Sequence, residues 1–202
     1  MKKAVVLLHE IYGVNAHIEH YANEFIALGY DVYCPNLLQL EQPFPYEQEQ
    51  QAYAHFMNDI GFEQSFAQVK NLLKELKDTY KEIHIIGFSI GATIAWLCSE
   101  LTGVTSVVGY YGSRIRNYLD IKPVCPVFLI YGQSEQSCDV DSLIEKLIAK
   151  NIQVQTYEGH HGFTDLYSSH FNQQSSAQAF FQVKGFIAGD CVTFPKAEES
   201  NL

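Results

Sequence analysis

Gly87-Phe88-Ser89-Ile90-Gly91 is the stretch of this 202-residue chain whose residue types and spacing most directly suggest chemistry. An apolar run at 82–86 leads into it, and apolar residues at helical spacing from 92 to 101 follow. A serine between a strand and a helix can be a nucleophile if it stands on a turn so tight that its neighbours carry no side chains, which glycines on both sides permit. The free N–H groups of the helix start then point at developing negative charge. The five residues alone would also suit an ordinary glycine-flanked turn, so the context carries the weight. A serine hydroxyl needs a base to take its proton and a third group to orient that base. Three further expected strand ends carry polar side chains: His9-Glu10-Ile11-Tyr12-Gly13, Tyr131-Gly132-Gln133-Ser134-Glu135 and Gly159-His160-His161-Gly162-Phe163. His160 or His161 is the candidate base. Glu135, Asp139 or Asp141 is the candidate acid.

The elements that must position these groups follow from hydrophobic periodicity. Short apolar runs at 4–8, 31–35, 82–86, 105–111, 126–131 and 152–157 are expected strands. Helical spacing groups Ile18, Tyr21, Ala22, Phe25 and Ile26, with Gly29 as a stop. It also groups Phe62, Phe66, Val69, Leu73, Leu76 and Tyr80, then Leu143, Ile144, Leu147 and Ile148, and lastly Ala177, Phe180, Phe181 and Ile187. Strands alternating with helices imply crossover connections, hence an α/β protein with a mainly parallel sheet and helices on both faces. Functional groups then gather at the carboxyl ends of the strands. Two stretches are irregular. Residues 37–60, opening with Pro43 and Pro45, continue as a glutamine-rich helical segment with Tyr53, Phe56, Met57 and Ile60 on one side. Two readings are open for it: a lid over the site, or an amphipathic helix covering the sheet edge. Residues 194–202 are polar and expected to fray. The whole of 1–202 reads as one domain.

Composition excludes several functions. A net charge of −10 and only two arginines, Arg114 and Arg116, argue against nucleic acid and anionic membranes as partners. No segment has the length and apolarity of a membrane span. Five cysteines, Cys34, Cys98, Cys125, Cys138 and Cys191, are odd in number and lack C-x-x-C spacing, which suits a reducing compartment. The N-terminal apolar run ends in His9-Glu10, too short for a secretory signal. A cytoplasmic protein is expected. No Gly-rich phosphate loop follows the first strand, so no nucleotide site is expected. The histidines at 9, 17 and 20 have no companion ligands at metal spacing, and no cofactor is implied.

His-Glu-Ile-Tyr-Gly-Val-Asn at 9–15, Gly-Tyr-Asp-Val at 29–32, Tyr110-Tyr111-Gly112 and His161-Gly162-Phe163 together resemble the dienelactone hydrolase family of α/β-hydrolases, over residues 4–188. The order nucleophile, acid, histidine is that of α/β-hydrolases. The resemblance implies a single-domain α/β-hydrolase fold, with Ser89 as nucleophile, Glu135 as triad acid and His161 as base. It places Ile11 and Ile90 where backbone N–H groups form the oxyanion hole, and Glu10 and Tyr12 where they line or tune the site. It implies a small ester, lactone or thioester substrate, and leaves monomer or homodimer open. An amide or small-peptide hydrolase on the same triad, and a catalytically silent binding module, are the other readings. Three positions depart from the family's namesake. Serine replaces its nucleophilic cysteine, Glu135 replaces an aspartate, and Asp165 stands where it holds an arginine. A carboxylate at 165 is expected to repel an anionic lactone.

Overall fold

A computed structural model describes residues 2–135 and 139–190. Cys138, Cys191 and the expected tail at 194–202 lie outside them. Six parallel strands form one sheet: β1 (Lys3–Leu8), β2 (Asp31–Tyr33), β3 (Glu82–Phe88), β4 (Ser106–Tyr110), β5 (Val127–Gly132) and β6 (Gln153–Tyr157), in the order β2-β1-β3-β4-β5-β6. The chain reverses direction across the sheet after β2, so β1 and β3 are neighbours, registered from Lys3 opposite Glu82 to Leu8 opposite Gly87. The ends of these two strands flank a topological switch point, where open α/β sheets place their sites.

Alternation along the strands sorts the core into two layers. Val6, Leu8, Ile85, Val107 and Leu129 point to one face, against α3 (Gly61–Leu76), α4 (Ile90–Cys98) and α5 (Val140–Ile148). Val5, Leu7, Ile86, Phe88, Val108 and Ile130 point to the other, against α1 (Ala16–Ala27) and α6 (Gln173–Ala188). A strand buried on both faces reads as a continuous apolar run, which is why the period-two pattern is absent from β1 and β3. α4 is buried nearly along its whole length, so it too lacks a polar face.

The helices use narrower faces than their periodicity suggested. Ile18, Tyr21 and Phe25 of α1 are buried, while Ile26 is exposed. In α6 the inward stripe is Ala179, Val183 and Ile187, and Phe181 faces solvent. Tyr80 lies beyond the end of α3, where its phenol donates to Asp31 at 2.8 Å. Within 37–60, a short 3-10 turn (Tyr46–Gln48) leads into α2 (Glu49–His55) and one π turn (Phe56–Ile60). Leu37, Leu38, Ala52 and Phe56 are its buried residues, and Tyr53 and Met57 are exposed. No helix among the described residues is long and apolar enough to cross a membrane.

Candidate active site

The turn between β3 and α4 puts Ser89 at φ 52° and ψ −110°, a conformation a non-glycine residue holds only when its surroundings fix it. They do so here: the Ser89 N–H donates to Tyr110 O at 2.9 Å, and Ser89 O accepts from Ala92 N–H at 3.1 Å. Gly91 lets the first turn of α4 lie against the end of β1, where an added Cβ would stand 2.2 Å from Leu8 O. That contact brings the Ile11 turn to the elbow. Neither the Ile11 nor the Ile90 N–H donates to a protein acceptor among the described residues.

The His161 loop is placed by a second close approach. An added Cβ on Gly132 would lie 2.6 Å from Gly159 O, so the ends of β5 and β6 meet through backbone alone. Ser134 N–H donates to Gly159 O at 3.0 Å and locks the two loops together. His161 Nε2 stands 2.9 Å from Ser89 Oγ, and its Nδ1 stands 2.9 Å from Glu135 Oε2. The Glu135 side chain is fully buried. Of the alternatives, His160 turns away to donate from Nδ1 to Ser134 O, and Asp139 accepts from Ser142 N–H as the cap of α5. Asp141 lies in the first turn of α5.

Around Tyr12 and Asp165, which the sequence did signal, stand Tyr111, Thr164 and Tyr46, whose contribution it did not. The Tyr111 ring lies 4.9 Å from that of His161, on a backbone with φ 44°. Its hydroxyl meets Thr164 Oγ1 at 3.0 Å. The Tyr12 ring packs at a tilt against that of Tyr46, 4.7 Å between ring centres, and its carbonyl accepts from Phe44 N–H at 2.8 Å, so the 37–60 segment reaches the site. Asp165, expected to confront the substrate, is buried. Its Oδ2 accepts from Tyr46 Oη at 2.5 Å and its Oδ1 from Tyr167 N–H at 2.9 Å. Asn15, the N-cap of α1, donates to the same Tyr46 hydroxyl at 3.1 Å. Among the described residues neither arginine pairs with a carboxylate: Arg114 donates to the Tyr53 hydroxyl and Arg116 to Ser113 O at 2.6 Å.

Charge in the site is predominantly negative. Burial pushes the Glu10 carboxyl up to about 7, helped by the Asp165 charge and opposed by His161 and Tyr111. Burial lowers the affinity of His161 for a proton, but the Glu135 hydrogen bond and charge, with Glu10 and Glu49 behind them, outweigh it and leave the imidazole above its ordinary value. His9 is a neutral clamp. Its Nδ1–H donates to Glu10 O at 2.6 Å, its Nε2 accepts from Leu37 N–H at 2.9 Å, and burial holds it down to about 4. Among the described residues no three His, Cys, Asp or Glu side chains gather around a metal position.

A parallel sheet of this order, with a strand–Ser89–helix elbow beside the switch point, is the framework of an α/β hydrolase. The chain belongs to the dienelactone hydrolase family, whose model matches residues 1–189. It is therefore an α/β hydrolase of the ester and lactone type. It is 38% identical over 175 residues to YczH, an uncharacterized protein of Bacillus subtilis, covering 85% of this chain and 86% of that one. It is 24% identical over 200 residues to carboxymethylenebutenolidase of Pseudomonas putida, covering 91% and 84%. Among solved structures, P91, a dienelactone hydrolase-like promiscuous phosphotriesterase from metagenomic libraries, superposes with a TM-score of 0.73 at 16% identity, covering 93% and 86%.

Proposed function

We propose that the protein is a serine hydrolase that cleaves small neutral esters, lactones or thioesters through an acyl-enzyme on Ser89. The observation that carries this is the unbroken relay from Ser89 Oγ through His161 to Glu135, each link 2.9 Å. His161 Nε2 takes the hydroxyl proton as Ser89 attacks the acyl carbon, then returns it to the leaving oxygen or sulfur. Glu135 holds the Nδ1–H tautomer and stabilises the imidazolium. The Ile11 and Ile90 N–H groups receive the tetrahedral oxyanion, a contribution of roughly 3–4 kcal/mol for a well-placed donor. Water, deprotonated by the same histidine, then releases the acid. Glu10, Glu49 and Asp165 favour a substrate without negative charge of its own.

A fluorophosphonate probe tests nucleophile, base and oxyanion donors together. Labelling that maps to Ser89, with p-nitrophenyl acetate turnover lost by several orders of magnitude in Ser89→Ala, is expected. Hydrolysis that survives Ser89→Ala would refute the acyl-enzyme.

A further inference from the structure

His160 and His170 flank the His161 loop, are both exposed, and take no part in the Ser89 relay. Their ring centres are 5.4 Å apart, with the planes tilted by 42°. Each ring is fixed in the same way. His160 Nδ1 faces Ser134 O at 3.1 Å, and His170 Nδ1 faces His161 O at 3.0 Å. A carbonyl only accepts, so both Nδ1 atoms carry the proton, and in the neutral rings both Nε2 atoms keep a bare lone pair. Neither Nε2 has a hydrogen-bond partner among the described residues. An Nδ1–H bound to a backbone carbonyl is the support that fixes the tautomer of a metal-ligating histidine.

We propose that His160 and His170 form a two-imidazole site for a divalent transition ion of intermediate softness, such as Zn²⁺ or Ni²⁺, with water filling the remaining positions. The separation fits. Two Nε2 atoms each about 2.05 Å from one ion, at a tetrahedral angle, put the ring centres about 5.2 Å apart. The rings stand close to that spacing. The acidic chain raises the local concentration of any cation. Imidazole is a natural ligand for these ions, and the exposed pair needs no entry path. A bound ion joins residue 160 to residue 170 and so closes the loop that carries His161 and Asp165. It fastens that loop and has no part in the acyl chemistry.

The experiment is isothermal titration of the untagged full chain with NiCl₂ at neutral pH, with thermal melts alongside. One ion per chain is expected, with a melting temperature that rises as Ni²⁺ is added. His160→Gln and His170→Gln should each weaken binding roughly tenfold or more, because one imidazole loses the chelate advantage. Their metal-free melts should match the wild type, and His20→Gln should bind like the wild type. No binding by the wild type at millimolar Ni²⁺ would overturn the proposal. So would wild-type affinity in either His160→Gln or His170→Gln.

Discussion

Glu135 and Asp139 are four positions apart and meet different partners, one a histidine ring and the other a helix end. Glu135→Gln keeps the shape of the side chain but cannot hold the Nδ1–H tautomer equally well. On the proposed mechanism kcat should fall by up to roughly 10⁴ with KM little changed. Asp139→Asn retains a good cap and should leave kcat alone, whereas Asp139→Ala should cost about 1 kcal/mol of stability in a denaturant melt. Glu10 gives a pH test. In the proposed mechanism His161 acts as a base only when neutral, and its raised proton affinity should put the acid limb of kcat/KM above the ordinary histidine value. The Glu10 charge is one cause of that rise, so Glu10→Gln should move the acid limb to lower pH. An unmoved limb would mean that Glu10 does not act on the base.

At the scale of elements, the half-buried Tyr46 phenol helps fasten the 37–60 segment to the site. Tyr46 meets Asp165 on the His161 loop, Asn15 at the start of α1 and the ring of Tyr12. Tyr46→Phe leaves a buried carboxylate oxygen without its donor, at a cost of about 1–3 kcal/mol. It should also raise KM, because the segment loosens where it borders the site. If KM stays fixed while stability falls, the segment serves only to cover the sheet.

For the whole molecule, buried histidines set the response to acid. His9, His17 and His84 are each held down to about 4 by burial, so each stays neutral in the folded chain while it would protonate when unfolded. Between the unfolded histidine value and pH 4 the unfolded state therefore binds more protons, and stability falls as pH falls. Each histidine can contribute on the order of 3 kcal/mol across that window. Glu10 works the other way, since its raised value makes the folded state hold a proton between the ordinary carboxylate range and about 7. Three groups outweigh one, so melting temperature should drop steadily from pH 6.5 to 4, less steeply than in Glu10→Gln. Charge also bears on the substrate. A neutral ester should show higher kcat/KM than a carboxylate-bearing analogue of equal size, with the gap narrowing as salt rises.

The sequence by itself determined what local chemistry and periodicity control. The six strands, the elbow at Ser89 and the alternation that forces a parallel sheet were all legible, because tight turns demand glycine and doubly buried strands demand continuous apolar runs. Helix shoulders such as Ile26 and Phe181 were misplaced, since periodicity gives a face but not how wide a neighbour covers it. Only the tertiary structure separated His161 from His160 and Glu135 from Asp139 on geometry, because those choices depend on how β5 and β6 meet at Gly132 and Gly159. Asp165 shows the limit most plainly. Its position in the chain suggested a charge facing the substrate, but its partners Tyr46, 119 residues away, and Tyr167 bury it. Contacts between distant segments decide whether a carboxylate meets ligand or protein, and no local pattern records them.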